Sequence, residues 1–71
     1  MDNVMQSLLQ VEDVMSLLNI GKNSTYRLLE SGELRGFKIG RVWKIPQFAL
    51  NEYVQEQTRA YMQNYDKNYN D

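Results

Sequence analysis

Apolar residues near the start of the chain recur with the spacing of one face of an α-helix. The residues at positions i, i+3, i+4 and i+7 are Val11, Val14, Met15 and Leu18. Acidic residues occupy the first turn of this segment, where they complement the helix dipole. The pattern predicts a helix that starts at Val11 or, because Ser7 and Gln10 match a capping box, at Leu8.

A second apolar stripe predicts another helix, from about Lys22 to Ser31. Its inward positions at i, i+3 and i+4 are Thr25, Leu28 and Leu29. Asn19 favours the left-handed conformation that ends the first helix, and Gly32 is suited to end the second helix in the same way. Two helices joined by such a short turn predict a helix-turn-helix.

Alternating residues after the second helix predict a β-hairpin. Residues 37–39 and 42–45 are rich in β-branched and aromatic side chains, and Gly40 between them supplies the positive φ of a tight turn. We expect the large apolar side chains to face the helices, and these are Phe37, Ile39, Trp43 and Ile45. We expect the basic side chains to share the solvent face, and these are Lys38, Lys44 and, at the tip, Arg41. The alternative is an edge hairpin that uses lysine against aggregation.

Pro46 ends the second strand and suits the start of a third helix, predicted over residues 47–58 or beyond. The predicted fold class is α+β, mainly α. It is a winged helix-turn-helix with two helices, a two-stranded β-hairpin wing and a third helix. We expect residues 1–7 to be a flexible N-terminus and residues 8–58 to be the winged-helix domain.

Residues 59–71 form a polar tail rich in Tyr and Asn. If this tail is helical, its large side chains line one face and are suited to bind a partner protein, and these are Tyr61, Met62, Tyr65 and Tyr69. Asn is a weak helix former and chain ends fray, so we expect the tail to be disordered in the free protein. We expect it to become helical when it meets a partner.

Positive charge is concentrated in one third of the chain. Residues 21–45 contain six Lys or Arg and two Glu, a net charge of +4, whereas the remainder contains two Lys or Arg and seven Asp or Glu, a net charge of −5. The field at a binding face matters more than the total charge of −1, so a basic helix and hairpin tip predict double-stranded DNA binding. The acidic total and the Tyr-rich tail favour an alternative, a protein-interaction module without DNA binding.

The chain contains neither Cys nor His, which limits the metal sites and reactions that are possible. This absence excludes zinc fingers, thiolate metal sites and His-based acid–base catalysis, and there is no Gly-rich phosphate loop. We therefore predict no metal, no cofactor and no enzymatic activity. Because no apolar run approaches the roughly 20 residues needed to span a bilayer, we expect a cytoplasmic protein without a membrane partner.

The predicted DNA interface has two parts. Residues on the second helix would enter the major groove, where Arg and Lys pair with guanine and Asn pairs with adenine. These residues are Lys22, Asn23, Ser24, Tyr26 and Arg27. Basic residues after that helix would hold phosphates and set the register on the duplex. These residues are Arg35, Lys38, Arg41 and Lys44. The alternative for the helix is an ordinary solvated polar face.

Four segments in order, TYRLLESGEL, FKIG, WKIP and ALNEYV, resemble the excisionase-type helix-turn-helix family, a branch of the MerR-like winged-helix group, over roughly residues 8–55. The resemblance implies that the second helix enters the major groove and that the hairpin touches the backbone or the minor groove. It also implies an excisionase, or recombination directionality factor, that binds and bends DNA to assist an integrase or other site-specific recombinase. Neighbouring copies on the DNA are further implied partners.

The family resemblance leaves one functional alternative open, a small stand-alone MerR-like transcriptional regulator. MerR regulators proper carry an effector domain for which this chain has no counterpart, so we expect no small-molecule effector. The chain also departs from the family pattern at Gly21, where the family often has Ser or Thr. The side-chain cap of the second helix, with one phosphate contact, is therefore missing.

Overall fold

The computed structural model describes the backbone of residues 8–69 and the side chains of residues 8–63. The elements in chain order are strand β1 (Leu8–Leu9), helix α1 (Val11–Leu18), helix α2 (Lys22–Ser31), strands β2 (Phe37–Ile39) and β3 (Val42–Pro46), and helix α3 (Gln47–Tyr69). Three helices and one small antiparallel sheet confirm the predicted winged helix-turn-helix of mainly α character. The expected flexible N-terminus, residues 1–7, lies outside the described residues.

Strand β1 is an element that the sequence pattern did not predict. It pairs antiparallel with β3, matching Leu8 with Pro46 and Leu9 with Ile45. The sheet therefore has three strands in the order β1-β3-β2, rather than the two of a simple hairpin. Helix α1 then begins at Val11, the first of the two predicted starts, and the Gln10 backbone N–H donates to Asp13 Oδ2 at 2.8 Å.

The turns between these elements form where the sequence predicted them. Asn19 ends α1 in the left-handed conformation with φ 57° and ψ 50°, and Gly32 ends α2 with φ 87°. The Thr25 hydroxyl donates to the Gly21 carbonyl at 2.9 Å, so this fully buried polar side chain is satisfied within its own helix. Helices α1 and α2 therefore form the predicted helix-turn-helix.

The core lies between the two short helices, the sheet and the first turns of α3. Its buried apolar residues are Val11, Val14, Leu29, Leu34, Ile45, Ala49 and Leu50. The helical spacing in α1 and α2 correctly predicted their inward faces. Leu34 is different, because it is fully buried yet belongs to no helix or strand, so no periodicity marked it.

The hairpin side chains are distributed between the two faces of the sheet differently from the prediction. The loop of Gly40 and Arg41 pairs Ile39 with Val42, so each cross-strand pair shares one face of the sheet. The next pairs are Lys38 with Trp43 and Phe37 with Lys44. Lys38 and Lys44 therefore lie on opposite faces, and not together on the solvent face as predicted.

The outer face of the sheet carries Lys44 and three exposed apolar side chains. Phe37 is 44% exposed, Ile39 61% and Val42 51%. Phe37 and Ile39 therefore do not face the core, contrary to the prediction. Trp43 is half-buried and packs against the core. Ile45, fully buried, is the hairpin residue that contributes most to the core.

Helix α3 extends well past residue 58, the minimum end that the sequence analysis predicted. It runs without interruption to Tyr69, so the tail expected to be disordered in the free protein is helical in its described part. The chain contains no Gly or Pro after Pro46 that would break the helix. None of the helices in the described part of the chain is long and apolar enough to span a membrane.

Candidate DNA interface

The exposed face of α2 carries the first part of the candidate interface. Lys22, Asn23, Ser24 and Arg27 are all exposed there. Asn23 and Arg27 are four residues apart, so they follow one another along the helix on the side opposite buried Thr25 and Leu29. An amide and a guanidinium are thus presented on one solvent-facing strip, with the donor and acceptor groups that recognise base edges.

The wing, which consists of β2, β3 and the Gly40-Arg41 loop, lies beside one flank of α2. Tyr26 is half-buried on that flank and packs against the core. It lines one depression together with Arg41, Val42 and Trp43 of the wing. The tertiary structure therefore brings the tip cation Arg41 beside Tyr26 of α2.

Lys38 lies on the face of the wing that carries Trp43. Its Nζ lies 5.3 Å from the centroid of the Trp43 ring, a cation–π distance that holds the ammonium group on the face of the sheet turned toward the core. Lys44 pairs with Phe37 on the outer face instead. The two lysines that the sequence analysis treated as equivalent are therefore presented in different directions.

Arg35 lies apart from α2 and the wing tip. It lines a depression with Glu33 and, from α3, with Glu52, Glu56 and Arg59. The negative charges of several nearby carboxylates repel a phosphate that approaches the arginine. The structure thus places Arg35 beside the charged residues of α3 rather than with the other basic residues of the predicted set.

The start of α2 has no side-chain cap. Gly21 occupies the N-cap position, and no side chain there bonds the first N–H groups of the helix. These donors carry the positive end of the helix dipole. They lie at the same end of α2 as Lys22 and Asn23, so backbone and side-chain donors are presented together.

The partner-binding residues predicted in the tail are only partly described. Tyr61 is 68% exposed and Met62 is 51% exposed on α3. Tyr65 and Tyr69 lie within the helix, but their side chains are outside the described residues. Nearer the body, half-buried Tyr53 has its pKa raised above 10.0 by burial and, to a smaller extent, by the negative charge of Glu33.

Comparison with known proteins decides the family. The chain matches the family of helix-turn-helix domains over residues 8–58. It is 32% identical over 57 residues to an excisionase of Streptomyces ambofaciens, covering 80% of this chain and 92% of that protein. It is 41% identical over 47 residues to a probable excisionase of Saccharopolyspora erythraea, covering 66% of this chain. The chain belongs to the excisionase-type helix-turn-helix family.

The chain spans about half the length of the Saccharopolyspora protein, because the match covers 48% of it. No solved structure matches this excisionase-type chain. The resemblance drawn from the four ordered segments is confirmed at the level of the family.

Two residues beside the candidate interface were missed by the sequence analysis. Gln10 and Glu12 line the same depression as Tyr26 and Arg41. No local signal marks them, because their position depends on the pairing of β1 with β3. The separation of Lys38 from Lys44, by contrast, follows from counting pairs outward from a two-residue hairpin loop.

Proposed function

We propose that this excisionase-type protein binds a specific site on double-stranded DNA, bends it, and assists a site-specific recombinase in excision. The similarity to the Streptomyces excisionase over 92% of that protein is the observation that carries the proposal. The basic face of α2 beside the wing tip supports it, because it supplies the donors and positive charge that a duplex requires. The protein acts in this role as a DNA-binding factor rather than an enzyme, and it works in the cytoplasm at the nucleoid.

Helix α2 provides sequence recognition in this proposal. Asn23 and Arg27 enter the major groove, where Asn pairs with adenine and Arg pairs with guanine through two hydrogen bonds each. Lys22 and Ser24 flank them and contact the sugar–phosphate backbone together with the uncapped N–H groups of the helix. Tyr26 is half-buried, so its ring supports the helix and only its hydroxyl is available to the DNA.

The wing provides positioning. Arg41 at the tip and Lys38 over Trp43 are presented on the side of the sheet that adjoins α2, and both contact phosphates. Lys44 projects from the outer face, and Arg35 faces the carboxylates of α3. We therefore assign the phosphate contacts of the wing to Lys38 and Arg41, and leave Lys44 and Arg35 outside the interface.

The proposed division between the lysines has a matched test. Lys38→Ala and Lys44→Ala each remove one positive charge from the same hairpin, so they change the long-range field alike. Lys38→Ala should weaken binding and reduce the slope of log K against log salt by about 0.9, the value for one phosphate contact. Lys44→Ala should leave that slope unchanged. Equal slopes for the two variants would contradict the assignment.

The function itself is tested by selection of bound fragments. The purified protein would be mixed with fragments of the genome that encodes it, at low salt, and the retained fragments sequenced. We expect a cluster of sites beside a recombinase gene, and faster excision in vitro when the protein is added to that recombinase. Sites at promoters without an effect on excision would indicate a transcriptional regulator, and no retained fragment would indicate a protein-interaction module.

A further inference from the structure

Helix α3 passes along the flank of α2 that lies away from the wing. Each residue turns a helix by about 100°, so Ser24 and Tyr26 lie about 160° apart around α2. Tyr26 lines the depression that α2 shares with the wing. Ser24 lines a different depression, together with Arg27 from α2 and with Gln57 and Thr58 from α3. The exposed strip of α2 therefore has the wing on one side and α3 on the other.

The dimensions of a DNA duplex determine what this second flank would meet. An α-helix with its side chains is about 10–12 Å across, and the major groove is about 12 Å wide. A helix that lies in the groove therefore brings each of its flanks close to one of the two sugar–phosphate backbones. In the proposed function, Lys38 and Arg41 of the wing contact one backbone. The other backbone lies at the flank where α2 adjoins α3.

We infer that α3 contacts this second phosphate backbone through the side chain of Gln57, beside Ser24. The side chain of Gln57 is exposed, and its amide group carries two N–H donors. Thr58 is less suited to donate to a phosphate, because its hydroxyl already donates to the Val54 carbonyl at 2.7 Å. The inference rests on the proposed DNA binding and extends the interface from α2 and the wing to a third element.

The charges around this depression favour a phosphate as the group that Gln57 meets. The guanidinium of Arg27 is the one charged group among the described residues that line it. The carboxylates of Glu52 and Glu56 line a different depression, together with Arg59. A phosphate that approaches Gln57 is therefore attracted by a nearby cation, whereas one that approaches the other depression is repelled by carboxylates.

A positive charge added at position 57 tests the contact. Gln57→Lys and Gln55→Lys place the same charge at two exposed positions of α3, and these positions lie about 160° apart around the helix. Gln55 is the matched control, because it lines the depression of Glu52 rather than that of Arg27. Circular dichroism would show that both variants remain folded.

Salt titrations would use the parent and both lysine variants on a duplex recovered by the fragment selection described above. Gln57→Lys should bind more tightly at low salt and steepen the slope of log K against log salt by about 0.9, the value for one further phosphate contact. Gln55→Lys should leave the slope of the parent unchanged. Gln57→Ala should weaken binding by about three- to tenfold at an unchanged slope, because it removes a neutral hydrogen bond and no charge.

Directed cleavage of the same duplex tests the position of α3. The chain has no cysteine, so an iron–EDTA reagent can be attached at one introduced cysteine. Gln57→Cys and Val42→Cys would carry the reagent on α3 and on the wing. Their cuts should fall on the two opposite sides of the major groove that holds α2.

Three outcomes would each overturn the inference while leaving the proposed function intact. These are equal salt slopes for Gln57→Lys and Gln55→Lys, an unchanged affinity of Gln57→Ala, and cuts from Gln57→Cys on the same side of the groove as those from Val42→Cys. If the parent protein retains no duplex at all, the proposed function fails, and the contact of α3 fails with it.

Discussion

Replacing Gly36 with alanine tests how tightly the wing is packed against helix α2. A methyl group on Gly36 would lie 3.0 Å from the Lys44 carbonyl oxygen, 3.1 Å from Leu29 Cδ2 and 3.3 Å from Ile45 Cγ1. These distances are shorter than ordinary carbon contacts. The nearest atom belongs to the backbone of β3, so it cannot move aside as the end of a flexible side chain could.

Two opposing effects determine how much Gly36→Ala changes the stability of the protein. Forcing an extra methyl group into a packed site costs about 1–3 kcal/mol. Alanine also restricts the unfolded chain and returns about 0.4–1 kcal/mol, because Gly36 is not among the glycines with positive φ. The steric cost is larger, so we expect a net loss of about 1 kcal/mol and a fall in Tm of roughly 4–8 °C for a domain of this size.

A thermal melt followed by circular dichroism measures this change, with Gly21→Ala as the matched control. A methyl group on Gly21 meets nothing within 4 Å. The control carries the same change in the unfolded chain without the steric cost, but it also places a poorer N-cap residue at the start of α2. These two effects oppose each other, so its Tm should stay close to that of the parent. A Gly36→Ala Tm equal to or above that of Gly21→Ala would show that β3 yields freely, and would refute the packing argument.

Four further predictions concern recognition, electrostatics, the core and pH. Arg27→Ala should weaken binding to the specific site by about 1–3 kcal/mol while leaving non-specific binding nearly unchanged; a mobility-shift titration with an unchanged site preference would remove Arg27 from the recognition set. Arg41→Ala should weaken binding to all sequences alike and lower the salt slope by about one, and loss at a single base position would instead show sequence recognition by the tip. Leu34→Ala removes a fully buried side chain and should cost about 2–5 kcal/mol in a urea titration; a smaller loss would mean that the site collapses around the cavity. Because the pKa of Tyr53 is raised from its usual 10.0 in the folded protein, the unfolded chain releases this proton first, so the contribution of Tyr53 to the free energy of unfolding should be fully present below about pH 10 and fall above it. Tyr53→Phe should remove part of that fall, and an unchanged pH profile would contradict the assignment.

The sequence by itself determined the elements whose cause is local. The apolar spacing beginning at Val11 predicted the inward face of α1, since helical periodicity depends only on residues within a few turns. The positions of Asn19, Gly32 and Gly40 were predicted as left-handed turns, because backbone sterics at one residue decide them. The family resemblance likewise followed from short ordered segments.

The tertiary structure decided which surfaces these elements bury. Strand β1 has only two residues and is defined by its pairing with a strand more than thirty residues away, so no local pattern marks it. Leu34 is buried because α2, the wing and α3 enclose the segment that carries it. The pairing of Lys38 with Trp43 is local, because it follows from counting outward from the two-residue loop, but packing against the helices decided which face of the hairpin meets the core. The candidate interface therefore depends on long-range pairing, which places Arg41 beside Tyr26 and turns Arg35 toward the carboxylates of α3.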